Sequence, residues 1–216
     1  GQPQKALDYV LSRRFHPWEG GTGRVSRQYV QAHLQLGQEA LEAGDAQAAL
    51  SHFEAAQATY PENLGERKHL LWPDADVYYY MGLAKQALGD DVGAEMSLQR
   101  VLDARGDAVT ETTYYKALAL RALGRGDEAQ RILNEMLVGA QARLAEQAEQ
   151  GFATSVPEFV FAEADMETRR RVHLTYLIGL AHMGLEELEA ARSAFAGALA
   201  LAPNYSDAQQ RLRELD

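Results

Sequence analysis

Hydrophobic and small residues recur along this chain at a spacing that defines its elements. Four segments align: Val30 to Asn63, Ala75 to Ala108, a third starting at Thr110, and Val172 to Tyr205. The eighth position of each is small (Gly37, Gly82, Ala117, Gly179), and the twentieth is alanine (Ala49, Ala94, Ala129, Ala191). The twenty-fourth is large and apolar (Phe53, Leu98, Leu133, Phe195). Within each segment the apolar positions follow helical rather than alternating spacing. Each segment therefore reads as two helices joined by a tight turn. Gly44-Asp45 and Gly89-Asp90 mark that turn in the first two. Small residues at positions 8 and 20 allow the paired helices to approach closely, and the bulky residue at 24 is expected to fill the gap between neighbouring repeats. In the fourth segment Glu186-Glu187 stand at the turn and the glycine comes early, at Gly184, so a differently shaped turn is expected there.

Two further helices flank the repeats. Lys5 to Arg13 carries Ala6, Leu7, Val10 and Leu11 on one stripe. Ser206 to Leu215 reads as a terminal helix with Ser206 as its cap and a polar outer face, placed to cover the last repeat.

Self-similarity at this period resembles the tetratricopeptide repeat, a helix-turn-helix unit of 34 residues. The resemblance implies an all-α fold, a right-handed superhelix (solenoid) of about four helix pairs. The expected layout is a single domain over 1–216: terminal helix and aromatic loop at 1–29, repeats at 30–63, 75–108, 110–143 and 172–205, insertions at 64–74 and 144–171, and a capping helix at 206–216. The position-8 residues lie 45, 35 and 62 residues apart, so the excess over the repeat falls between repeats and never inside the turn of one. In a solenoid this gathers the insertions on one edge, where binding loops often lie.

That edge is rich in aromatics. It holds Phe15, His16 and Trp18 of the opening loop "RFHPWEGGTG", Trp72 of "LGERKHLLWPD", and Phe152, Phe159 and Phe161 of "GFATSVPEFVFAEAD". Loops are ordinarily polar and superficial, so these rings either fold onto the solenoid and each other or meet another domain or a ligand. In tetratricopeptide arrays positions 2, 5, 9 and 12 of the first helix line a concave face. Carried over, they give a groove of Asp76, Tyr79, Glu111, Tyr114, Arg121, His173 and Tyr176. Tyrosines in sequence there offer a flat apolar surface with a polar tip, suited to peptide or sugar. The alternative is that the rings pack on a neighbouring helix or inserted loop. Capture of a peptide's terminal carboxylate is disfavoured, since the groove carries one arginine against two carboxylates.

Composition narrows the function. The 216 residues carry 21 Lys plus Arg against 31 Asp plus Glu, a formal charge of -10. So acidic a surface argues against nucleic acid and anionic membranes as partners. The absence of cysteine excludes disulfides, thiol catalysis and cysteine-held zinc. Histidines 16, 33, 52, 69, 173 and 182 include no pair four apart on a helix, and no HExxH occurs. The GGTG stretch lacks the lysine and hydroxyl residue that end a phosphate loop. No catalytic residue, metal site or cofactor is therefore expected, and the chain is not read as an enzyme. The words "RFHPWEGGTG", "YPENLGE" and "VPEF" resemble the C-terminal repeat tail of large bacterial proteins that carry an N-terminal domain of unknown function with a sugar-enzyme-like architecture. That resemblance implies a fragment that works beside a missing domain. The chain lacks an initiator methionine, so Gly1 reads as a cleavage scar or an internal start, and its expected compartment is the cytoplasm. Its expected partners are a protein, a peptide or an adjoining domain, with carbohydrate reached only through a missing domain. The two functional expectations are a non-catalytic interaction scaffold and an accessory module of a carbohydrate-active enzyme.

Overall fold

The turn residues explain the architecture. Gly44, Gly89 and Gly124 all adopt left-handed backbone, with φ of 81, 79 and 76°, a conformation glycine reaches without a Cβ penalty. In the first two turns the next residue, Asp45 or Asp90, accepts a hydrogen bond from a backbone N–H three residues on, Ala48 or Gly93, at 2.9 Å, capping the second helix. A computed structural model describes residues 2–16, 23–65, 68, 74–146 and 157–216, with side chains from 166 onward in the last stretch. Among the described residues every regular element is helical, and no helix is long and apolar enough to cross a membrane. The chain divides into two compact units, Gly1–Arg105 and Gly106–Asp216.

Unit 1 holds α1 (Pro3–Leu11), α2 (Arg24–Glu42), α3 (Ala46–Gln57), a 3-10 turn at Glu62–Leu64, α4 (Ala75–Ala87) and α5 (Asp91–Asp103). Helices α2–α3 and α4–α5 are the first two repeats. The small residue at position 8 meets the bulky residue of its own repeat: a Cβ on Gly37 would lie 2.3 Å from the Phe53 ring, and one on Gly82 would lie 2.9 Å from Leu98. Position 24 thus seals the pair it belongs to, as well as the next repeat, where Phe53 joins Val77, Met81 and Ala84 in one core and stacks on Tyr80 at 5.6 Å.

A second core closes the N-terminal end, built from Leu7, Val10, Tyr29, Ala32, Tyr60 and Leu64, with Phe15 packed against it. Leu7 and Val10 are buried as the stripe predicted, whereas Leu11 is exposed. Asn63 fastens this end. Its side-chain amide donates to the carbonyls of Val10 and Arg13 at 2.8 and 2.7 Å, and its own carbonyl accepts from Phe15 N–H at 2.7 Å. Carbonyls left over at the end of α1 are thereby satisfied.

Unit 2 holds α6 (Glu111–Ala122), α7 (Gly126–Ala145), α8 (Pro157–Gly184), α9 (Leu188–Leu201) and α10 (Ser206–Glu214). Residues 157–171 of the expected insertion 144–171 are helical, because α8 starts fifteen residues before the fourth repeat and runs through it. Pro157 stands at the first position of that helix, where its missing N–H removes no helical hydrogen bond. Arg170 ties the extension down: its guanidinium donates to the carbonyls of Arg143 and Glu146 at the end of α7, at 2.6 and 2.9 Å.

The fourth turn corrects two expectations. Glu186 takes the left-handed position, φ 64°, that glycine fills in the other three turns. Its successor donates to the carbonyl five residues back, Glu187 to His182 at 2.9 Å, just as Asp45 donates to Ala40. The turn keeps its shape without its glycine. Gly184 serves packing instead, since a Cβ there would lie 2.7 Å from Leu133. Nor does Ser206 cap α10: it is the first helical residue, and its hydroxyl pairs with Asp207 at 3.3 Å.

Candidate binding site

The expected groove residues divide by unit. In unit 2, Tyr114 and Tyr176 are 4 % and 2 % exposed, so they are not an open ladder. Both rings lie against side chains of other helices in unit 2. The ring of Tyr176 meets Tyr205 edge-on at 5.4 Å and Phe195 at 5.8 Å. Burial pushes its phenol well above the ordinary tyrosine range. His173 stands at the edge, its Nδ1 3.3 Å from the Tyr205 hydroxyl. Half-buried Arg121 pairs with the exposed Glu186 carboxylate at 3.3 Å, and Glu111 lies half-buried in the first turn of α6.

What covers these tyrosines is a residue that the sequence reading placed on a polar outer face. Arg211 of α10 is 7 % exposed. One guanidinium nitrogen donates to the Tyr115 hydroxyl at 2.7 Å and another to Glu214 at 2.7 Å. Its central carbon lies 5.5 Å from the Tyr114 ring centre and 5.9 Å from that of Tyr115. The two rings meet edge to face, 5.3 Å apart at 72°. A buried cation is expensive to desolvate. Here two aromatic rings, a phenol oxygen and a carboxylate on the same helix offset that cost. The available signal was register, because Ala208 and Arg211 sit three apart and both are buried.

In unit 1, Tyr79 and Tyr80 occupy the repeat positions of Tyr114 and Tyr115. They meet edge to face at 5.2 Å and 65°. Both rings are half-buried, as are Asp76 and Leu83 on the same helix. Asp76 accepts from Val77 N–H at 2.8 Å, and Tyr78 accepts from the Gln57 side chain at 3.2 Å. Lys68 crosses from the insertion to Asp74 at 2.6 Å and to the Gln57 carbonyl at 2.5 Å, joining the end of α3 to the start of α4. Burial raises the Asp74 carboxyl, against the pull of Lys68.

A histidine pair is a second polar feature of unit 1. His33 and His52 face each other with Nδ1 atoms 3.0 Å apart, and His33 meets Tyr29 edge-on at 4.6 Å. Burial, then the charge of His52, lowers His33 to about 4, and burial lowers His52.

Of the aromatic edge, Phe15 is half-buried in its own unit's core and His16 is exposed. Phe159 and Phe161 lie on the α8 backbone, with side chains outside the described residues. Trp18, Trp72 and Phe152 also lie outside the described residues.

These elements define the class: an all-α protein of tetratricopeptide-like helix pairs, three of whose first helices carry a tyrosine at one register position. No family model matches the chain. Among solved structures it is similar to MamA 41-end from Desulfovibrio magneticus RS-1, at 21% identity over 87% of this chain and 83% of that one, with a TM-score of 0.30. A MamA RS-1 ArsTM double mutant gives 22% identity with the same coverage and TM-score. With so low a TM-score, the repeat assignment rests on this chain's own turns and glycine contacts.

Proposed function

We propose that this chain is a non-catalytic scaffold that binds a protein or peptide, including an adjoining domain of the same polypeptide, through the α4 face of unit 1. One observation carries the reading: Tyr79 and Leu83 keep part of their surface, while Tyr114 and Tyr176 at the same register in unit 2 are covered. A partly exposed tyrosine beside a leucine, with Asp76 one turn away, combines apolar area with a polar tip at low conformational cost.

The test is selection of peptides from a displayed library on the immobilised full chain, followed by calorimetry. Selected peptides should bind with Kd in the micromolar range, about -6 to -8 kcal/mol. Tyr79→Ala and Leu83→Ala should each weaken them about tenfold while leaving the thermal midpoint within a few degrees. A library that yields no binder, or binders indifferent to both changes, would sink the proposal.

A further inference from the structure

The second helices of the four repeats can be compared at one water-facing register. At the eighteenth and twenty-second positions three repeats are polar: Gln47 and Ser51, Asp127 and Arg131, Glu189 and Ser193. All six side chains are exposed. The second repeat has Val92 and Met96 there, and they are 72 % and 65 % exposed. Neither contributes to the core of unit 1, so the repeat fold does not account for their being apolar. Leu88, in the turn that leads into α5, is also exposed. Four residues apart on α5, Val92 and Met96 form a ridge one turn long, of the kind that seats in the groove of a second helix. The flexible thioether of Met96 can adapt to the shape it meets.

We infer that the Val92–Met96 ridge of α5 docks a basic amphipathic helix of another protein, whose apolar stripe is flanked by lysine or arginine. Charge selects that occupant. The charged residues of α5 are Asp91, Glu95, Arg100 and Asp103, all exposed, three acids against one base. The chain as a whole carries a formal charge of -10. Asp91 and Glu95 adjoin the ridge in sequence, so cations beside an incoming stripe meet carboxylates as the stripe covers the apolar pair. A second copy of this chain fits less well, because a two-fold contact sets one acidic patch against its own image. The surface is separate from the Tyr79 and Leu83 face proposed above and gives the scaffold a second point of contact.

The experiment titrates the full chain with a synthetic helix about four turns long, leucine on one stripe and lysine elsewhere. Binding should be saturable. A scrambled peptide of the same composition, which keeps the charge and loses the stripe, should bind about tenfold more weakly. Val92→Gln combined with Met96→Ser, the residue types of the first repeat at that register, should weaken the striped peptide about tenfold. The thermal midpoint of this variant should stay within a few degrees, because both side chains are exposed. Asp91→Asn combined with Glu95→Gln should weaken binding about threefold at low salt, and less as salt rises. Absence of binding overturns the inference, and so does equal affinity for the chain and its Val92→Gln, Met96→Ser variant. If Tyr79→Ala weakens the striped peptide and the α5 variant does not, the peptide sits on α4; the inference fails and the scaffold reading stands. If the α5 variant alone weakens it while a displayed library yields no ligand for α4, the α4 reading fails and the inference stands. If sedimentation shows the chain self-associating and the α5 variant monomeric, a second copy covers the ridge and the inference fails.

Discussion

The two tyrosine pairs of this chain are near copies in geometry and opposites in circumstance. In unit 2 a guanidinium is set over the rings, and it and both rings are buried. In unit 1 the rings sit at the same angle and remain half-buried. The difference teaches that a register position fixes where a ring stands but not whether it is a surface. Coverage is decided by another element, and in unit 2 that element is α10.

The largest effect that tests this contrast is expected from Arg211→Leu. It leaves the Tyr115 hydroxyl buried without its donor and should destabilise unit 2 by about 2–3 kcal/mol. Hydrogen exchange should accelerate in α8 and α10 while α2 to α4 stay protected. Tyr79→Ala, the unit 1 counterpart, should cost under about 1 kcal/mol, because a partly exposed ring loses less on truncation. Equal costs would erase the distinction between the covered pair and the half-buried one.

Gly37→Ala comes next. The added methyl meets the Phe53 ring at 2.3 Å, and overpacking of this kind costs about 1–3 kcal/mol. A lowered urea midpoint for unit 1 should report it.

Acid should then separate the units further. His33 and His52 are both held below the ordinary histidine range in the fold, so the unfolded chain binds more protons between about pH 4 and 6.5. Stability present above pH 6.5 is therefore lost as pH falls toward 4. The loss is on the order of 1–2 kcal/mol once exposure is allowed for. Replacing both histidines by glutamine should flatten that slope in urea titrations at pH 7, 6 and 5.

The smallest effect has the opposite sign. Glu186→Gly relieves a left-handed non-glycine residue and should stabilise unit 2 by about 0.5–1 kcal/mol. The Arg121 pair it removes is exposed at Glu186 and worth little. A lower thermal midpoint would mean that the ion pair outweighs the strain.

Much of the fold is legible because close packing leaves fixed marks. Gly37, Gly82 and Gly179 are small where a ring or leucine presses on the backbone, and Gly44, Gly89 and Gly124 are glycine where φ is positive. Even the fourth turn is readable by counting, since Glu186 stands at the same repeat position as those three. Long polar side chains are less legible. Arg211 and Asn63 act on groups distant in sequence, through reach and hydrogen bonding rather than hydrophobicity. In a linear reading both look like solvated residues. The start of α8 was hidden for another reason: a proline is read as loop unless its position at the front of a helix is recognised. Of the candidate site, register gave the tyrosines their places, and only the fold told which were covered.

The Asn63 clamp also sets an order of events. It closes the end of α1 across 50 to 53 residues of chain, and the core beside it needs Tyr60 and Leu64 as well. During synthesis the first helix, already able to pack on Tyr29 and Ala32 of α2, therefore waits for its clamp until the whole first repeat has left the ribosome. At about 5–20 residues per second, that wait lasts a few seconds. For that interval the carbonyls of Val10 and Arg13 must find water in place of the Asn63 amide.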